Sequence, residues 1–193
     1  MAAGGGCRIA RRGFGLWILS VLGGAVAGAL YGWVPTVGVN WPWFANLGAS
    51  AIIFIALAAV PWIGLSRRWV WWLGSAIGAI VGVPVAVYTT FSLFGLGRNP
   101  SIAPTENLVL FSLVIGLFGV GQALSLGGWS RKLGWLMTSL VAGAVFGAGF
   151  QVVSTIVGSN PATPTIGPSI VAGVGCGAVL GAGTLLLRRR AKE

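Results

Sequence analysis

A short turn motif occurs three times along the chain, as Gly38-Val39-Asn40-Trp41-Pro42, Gly97-Arg98-Asn99-Pro100 and Gly158-Ser159-Asn160-Pro161. Gly and Asn accept backbone angles that other residues avoid, and Pro cannot continue a helix, so each copy predicts a turn. The Asn residues of successive copies lie about 60 residues apart, and apolar segments flank every copy. The sequence therefore predicts three tandem helical hairpins, each turning at one of these loops.

The composition places these hairpins in a membrane. Of the 193 residues, 56% are hydrophobic and only 7% are charged, and the mean hydropathy is +0.92. Soluble domains carry roughly 25% charged residues. The 33 Gly residues fit close helix packing in lipid, because small residues let backbones approach each other.

Six segments are long enough to cross the roughly 30 Å hydrocarbon core as helices of about 20 residues. The predicted spans are Phe14–Val34, Ala45–Leu65, Trp69–Phe91, Asn107–Leu126, Leu133–Val157 and Ile166–Leu187. The predicted fold class is an all-α membrane protein with six transmembrane helices. We predict a single membrane domain over 1–193, with hairpin repeats at 12–68, 69–132 and 133–190 and short tails at 1–11 and 188–193.

Basic residues fall almost entirely in alternate connections. Eleven of the 12 lie in the two tails and in the second-to-third and fourth-to-fifth connections, whereas the Asn-Pro loops hold only Arg98. Cytoplasmic loops carry an excess of Lys and Arg. We therefore expect a multi-pass protein of the bacterial inner membrane with both termini cytoplasmic. The same distribution argues against a nucleic-acid partner for the net charge of +10.

Tryptophan marks the predicted borders of the membrane. Three Trp residues lie near the first Asn-Pro loop, and six cluster near the basic connections, among them Trp71, Trp72 and Trp135. Because Trp is enriched at membrane–water interfaces, we expect these side chains to form interfacial belts. The alternative is a set of stacking surfaces for a ligand.

Small residues recur every four positions in several spans. The first span reads Ser20-x-x-x-Gly24-Ala25-Val26-x-Gly28-Ala29, the fifth reads Ser139-x-x-x-Gly143-Ala144-Val145-x-Gly147-Ala148, and the third holds a looser copy from Ser75. Similar stripes occur at Gly74, Gly78 and Gly82 and at Gly173, Gly177 and Gly181. Such faces are where neighbouring helices approach closely. The pattern predicts a compact bundle with approximate threefold symmetry about the membrane normal.

The chain offers little reactive chemistry. It has no His and no Asp, and its only carboxylate side chains are Glu106 and Glu193. General acid–base catalysis draws on His, Asp or Glu, and metal sites need clusters of Cys, His or carboxylate. We therefore predict no enzyme, no catalytic residue, no metal site and no resident cofactor, although a bound lipid or pigment is compatible with the composition.

Glu106 lies at the expected start of the fourth span, where a carboxylate complements the positive end of the helix dipole. The alternative is an external pair with Arg98, acting as a gate or a binding clamp. Inside the spans the most polar side chains are Gln122 and Gln151. We interpret them as interhelical hydrogen-bonding groups. They could also line a path for a small neutral solute, or bind a pigment or quinone.

Gly121-Gln122-Ala123-Leu124-Ser125-Leu126, followed by Arg131-Lys132, Trp135 and the helix from Ser139, resembles a pattern in small multi-span bacterial proteins. Those proteins repeat Gly-x-x-Gln-x-Leu-x-Leu, basic residues, then Trp and a Gly-rich helix, and they are common in cyanobacteria and filamentous phototrophs. The resemblance covers about 30 residues and implies a bacterial source and association with a membrane complex. In size and span count the chain is also similar to the substrate-capture subunits of energy-coupling-factor vitamin transporters.

Three functions are compatible with these features. The first is a non-enzymatic accessory or scaffold subunit of a larger membrane complex, with other membrane subunits and lipids as partners. The second is a small transporter or channel component for a neutral or anionic solute, such as a substrate-capture subunit. The third is an organiser of anionic lipid, which ranks last because each basic cluster holds only two to four charges.

Overall fold

The computed structural model describes residues 4–37, 69–94, 103–159 and 165–190. These residues form helices α1 (Gly4–Val37), α2 (Trp69–Phe94), α3 (Ala103–Ala123), α4 (Trp129–Val157) and α5 (Ile166–Arg190), with no strand among them. Each helix contains a stretch that is long and apolar enough to cross a membrane. The all-helical membrane class is confirmed, but the second predicted span, Ala45–Leu65, lies outside the described residues, so the count of six stays a prediction.

The link between α3 and α4 is shorter than the sequence predicted. The chain leaves α3 at Ala123, not at Leu126, because the backbone N–H groups of Ser125 and Leu126 turn back onto the carbonyls of Gln122 and Ala123, at 3.0 and 3.1 Å. Gly128 then adopts a φ of 76°, which suits Gly, and α4 begins at the next residue. The basic pair Arg131 and Lys132 therefore lies in the first turn of α4 and not in a loop.

The two predicted tails are also partly helical. Since α1 begins at Gly4, the basic residues Arg8, Arg11 and Arg12 lie on that helix. Since α5 continues to Arg190, the first residues of the predicted C-terminal tail are helical as well. Helices can extend past the hydrocarbon because Arg and Lys side chains reach polar surroundings beyond the membrane core. The hydropathy of a span therefore underestimates the length of its helix.

Neighbouring helices pack antiparallel in the order α2, α3, α4, α5 and α1, so that the first helix of the chain lies against the last. Helices α1, α2 and α4 begin where α3 and α5 end. We call this the basic end of the bundle, because Arg131, Lys132 and Arg188 lie there. The opposite end is called the far end.

The small-residue stripes lie at these helix contacts, as predicted. A Cβ atom added to Gly24 would collide with the carbonyl oxygen of Gly173, and one added to Gly74 would collide with that of Gly121. At Gly78, an added Cβ would lie 2.9 Å from the Phe118 Cα. Only Gly allows backbones to approach this closely, so these stripes determine where α1 meets α5 and where α2 meets α3.

Two interfaces in different parts of the bundle share one register. Gly24 meets Gly173 where α1 crosses α5, and Gly143 meets Phe111 where α4 crosses α3. In each interface a Gly also faces a Ser near one end of the contact. A Cβ added to Gly181 would meet the Ser20 side chain, and a Cβ added to Gly119 would meet the Ser139 side chain. Gly173 and Phe111, like Gly181 and Gly119, are 62 residues apart. The threefold arrangement stays a prediction.

Aromatic side chains fill the centre between the helices. Phe111, Phe146 and Phe150 lie in one buried cluster, and the Tyr31 ring packs edge-on against Phe111 at a centroid distance of 5.5 Å. These bulky rings pack against one another between the helices, so side chains fill this part of the bundle.

Two tryptophans of the expected interfacial belt lie in the core. Trp71 and Trp135 are fully buried, with ring centroids 5.4 Å apart. Trp69 and Trp129 are about 70% exposed near the basic end, as an interfacial belt requires. The prediction is therefore wrong for the buried pair, because those residues point between the helices and not toward the lipid border.

Candidate functional site: polar contacts between the helices

Gln122 joins three helices near the basic end. It lies one residue before the end of α3 and is 1% exposed. Its Oε1 accepts a hydrogen bond from the Trp135 Nε1 of α4 at 2.9 Å, and its Nε2 donates to the Ser75 Oγ of α2 at 3.1 Å. The side-chain amide therefore connects α2 and α4 through α3.

The partners of Gln122 are themselves held in place. Ser75 Oγ donates its own proton to the Trp71 carbonyl oxygen at 2.7 Å, so its lone pairs face Gln122. The backbone carbonyl oxygen of Gln122 accepts a hydrogen bond from the Ser125 Oγ at 2.8 Å, and this bond closes the end of α3. A buried amide surrounded in this way is a structural hydrogen-bonding group with both ends engaged.

Gln151 lies at the far end, and its environment is more open. It is half-buried on α4, and its Oε1 accepts a hydrogen bond from the Asn107 Nδ2 on α3 at 3.1 Å. The same pair of helices is therefore linked by an amide near each end, once through Gln122 and once through Gln151.

Three serines at corresponding positions of α1, α2 and α4 have a common local geometry. The hydroxyls of Ser20, Ser75 and Ser139 donate to the backbone carbonyl four residues earlier, at distances between 2.7 and 3.1 Å. This bond satisfies a hydroxyl inside an apolar helix without a partner from another helix. Among the three, Ser75 also accepts the Gln122 amide.

Several hydroxyls toward the far end have no such partner. Thr90 on α2, Ser154 on α4 and Ser169 on α5 are each at most 1% exposed, and their oxygen atoms form no hydrogen bond. Burying a hydroxyl without a partner costs roughly 1–3 kcal/mol. These three hydroxyls therefore have capacity to bind something else.

The remaining predicted residues divide between described and undescribed segments. Glu106 lies in the first turn of α3, as expected for a carboxylate at a helix start. Arg98 lies outside the described residues, and so does the proposed pair. The turn residues Asn40, Pro42, Asn99, Pro100, Asn160 and Pro161 also lie outside them.

Gly158 of the third motif is described. It ends α4 with a φ of 70°, and its N–H bonds back to Ser154 and Thr155. The left-handed conformation closes the last turn of the helix.

Sequence reasoning identified Gln122 and Gln151 but missed their partners. The sequence pattern places Trp135 at a membrane border, Ser75 in a packing stripe and Asn107 at the start of a span, whereas in the structure each is a hydrogen-bonding partner. Spacing along one helix does not indicate which neighbour a side chain faces.

In the described ranges, no group of three His, Cys, Asp or Glu residues could hold a metal ion. Comparison with protein-family models, with curated proteins and with solved structures finds no match to this chain.

Proposed function

We propose that the chain is a non-enzymatic integral membrane subunit that serves as an accessory or scaffold within a larger complex. One observation carries the proposal: Gln122, the most buried side-chain amide of the described residues, uses both ends of its side chain to hold helices together. The fully buried Trp71 and Trp135 pack beside it. A polar group used in this way supports a structural role for the bundle.

The surface of the bundle supports the same role. The Gly stripes are used inside the bundle, so partners would have to contact the exposed faces instead. Those faces carry large apolar side chains, including Tyr88 on α2 at 76% exposure and Ile156 on α4 at 78%. Lipid and partner helices both suit such faces, and a scaffold would use some of them for each.

Photo-crosslinking in native membranes would test the proposal. A photoreactive residue would be placed at Tyr88 or Ile156, with the buried Phe150 as the matched control. A defined membrane protein joined at one exposed position, but not at Phe150, and present in fixed ratio after mild purification, would support the scaffold role. Lipid adducts alone at both positions, from a chain that purifies as a monomer, would contradict it.

The six-helix, threefold architecture belongs to the same proposal. The shared register of the α1/α5 and α3/α4 interfaces supports it, as do the matching back-bonds of Ser20, Ser75 and Ser139. In this arrangement, the chain ends lie on the cytoplasmic side of a bacterial inner membrane. Labelling of single cysteines from each side would test the topology. Accessibility of the two ends from opposite sides would contradict it.

A small-solute transporter or channel component is the second candidate. It is favoured by the unpartnered hydroxyls of Thr90, Ser154 and Ser169, because such groups can bind a passing polar solute. In reconstituted vesicles, solute flux that falls in Thr90→Val and Ser154→Ala would support this function. Ser112→Ala is the control, since Ser112 Oγ already donates to the Leu108 carbonyl oxygen at 2.7 Å.

A further inference from the structure

Three helices carry basic residues at the same end of the bundle. In sequence they form separate clusters, of which Arg8, Arg11 and Arg12 belong to α1, Arg131 and Lys132 to α4, and Arg188, Arg189 and Arg190 to α5. Helix α5 packs against both α1 and α4. Eight positive charges are therefore carried by adjacent helix ends, although each cluster in the sequence holds only two to four.

Contacts on either side of α5 establish how close these ends are. A Cβ added to Gly134 on α4 would lie 2.9 Å from the Leu187 Cδ2, so the second turn of α4, two residues after Lys132, lies beside the residue preceding Arg188. A Cβ added to Gly13 on α1 would lie 3.5 Å from the Leu185 Cδ2. Arg12 directly precedes Gly13 in the chain.

Nothing acidic in the described residues neutralises this end. The carboxylate of Glu106 belongs to the first turn of α3, at the far end. The first turn of α4 contains no acidic residue, and Gly128 before it provides no side-chain cap. The unpaired backbone N–H groups at the start of α4 therefore favour an anion nearby.

We propose that the basic ends of α1, α4 and α5 form one binding site for the phosphate headgroup of an anionic phospholipid. Aromatic side chains at the same level favour a membrane lipid over a soluble anion. Trp129 is 72% exposed two residues before Arg131, and Phe14 is 62% exposed two residues after Arg12. Such rings lie at headgroup depth, where the phosphates are. Basic pockets between helix ends on the cytoplasmic side bind headgroups of multiply charged lipids.

Native mass spectrometry of the full chain in detergent would test the site, with phosphatidylglycerol, cardiolipin and phosphatidylcholine added as probes. We expect the two anionic lipids to be retained over phosphatidylcholine. In Arg131→Gln and Arg188→Gln, their affinity should fall about fivefold per lost charge. Arg98→Gln is the matched control, because it removes one charge from the connection between α2 and α3 at the far end.

Several outcomes would overturn the proposal. They are equal retention of all three lipids by the wild-type chain, an equal loss in Arg98→Gln, and binding of inorganic pyrophosphate without binding of lipid. The wild-type chain provides a second measurement that needs no variant. Retention of anionic lipid should decrease as salt rises, because exposed charges are screened, and retention unaffected by salt would also contradict the site.

Discussion

Between α1 and α5 the helices meet mainly backbone to backbone, whereas at the junction of α2, α3 and α4 they also meet through hydrogen bonds from one side chain to another. Gly24 and Gly173 carry the first contact, and Gln122 carries the second. The Trp17 Nε1 bond to the Ala178 carbonyl oxygen, at 3.1 Å, adds a side-chain hydrogen bond between α1 and α5. Dispersion therefore dominates one region, and directional hydrogen bonding supplements it in the other.

The comparison shows how a chain with few polar side chains obtains a specific packing. Lipid tails are as apolar as Leu, so burying Leu against Leu gives a membrane helix little reason to prefer one neighbour. The close Gly contacts select a neighbour by the fit of the two helix surfaces, and these Gly positions tolerate almost no substitution. The Gln122 junction provides donors and acceptors, each of which can be removed separately. Substitutions in the two regions should therefore have different costs.

The largest effect is expected at the backbone contact. In Gly24→Ala, the new Cβ would collide with the Gly173 carbonyl oxygen, so α1 and α5 must separate. We expect a loss of about 3 kcal/mol in the free energy of unfolding, measured by denaturation in mixed micelles. Gly15→Ala on the same helix is the control, because its Cβ would meet nothing within 4 Å. Helix propensity alone would stabilise both variants, because Ala favours a helix more than Gly does. A Gly24→Ala variant as stable as Gly15→Ala would therefore contradict the close approach.

Removing the amide of the junction should cost less. Gln122→Leu keeps a similar side-chain volume but leaves the Trp135 indole N–H without its acceptor and the Ser75 hydroxyl without its donor. The expected loss is about 2 kcal/mol in the same assay, for two buried hydrogen bonds. A double-mutant cycle with Trp135→Phe should give a coupling energy near ~1 kcal/mol. If the losses of the two single variants simply added in the double variant, Gln122 and Trp135 would not be energetically coupled and the prediction would be wrong.

A smaller effect is expected at Gln151. Its bond to Asn107 is half-buried, so water or lipid headgroups can replace it at the far end. Gln151→Leu should lower the unfolding free energy by about 0.6 kcal/mol. The Gln122→Leu variant serves as the comparison. If Gln151→Leu were the more damaging of the two, the far end would hold a tighter polar contact than its exposure indicates.

The smallest effect is expected when the serine hydroxyls of two helices are compared. Ser20 and Ser75 both bond back to their own helix, but Ser75 also accepts Gln122. Ser75→Ala should therefore cost about 0.5 kcal/mol more than Ser20→Ala, measured side by side. Identical costs would indicate that the Gln122 amide finds another acceptor when Ser75 is lost.

The sequence by itself determined the membrane class, the approximate positions of the five described spans and the faces on which helices touch. These properties depend on apolar length and four-residue spacing, which are local to each helix. Gly24, Gly143 and Gly173 could therefore be identified as contact residues from their spacing.

Only the tertiary structure decided which helices are neighbours, and the function-related features follow from that. Trp135 became a buried partner of Gln122, and not part of an interfacial belt, because α4 lies beside the end of α3. The basic helix ends became neighbours because α5 packs between α1 and α4. Periodicity identifies the face of a helix but not the helix that covers it, since that choice depends on backbone contacts between segments far apart in the chain.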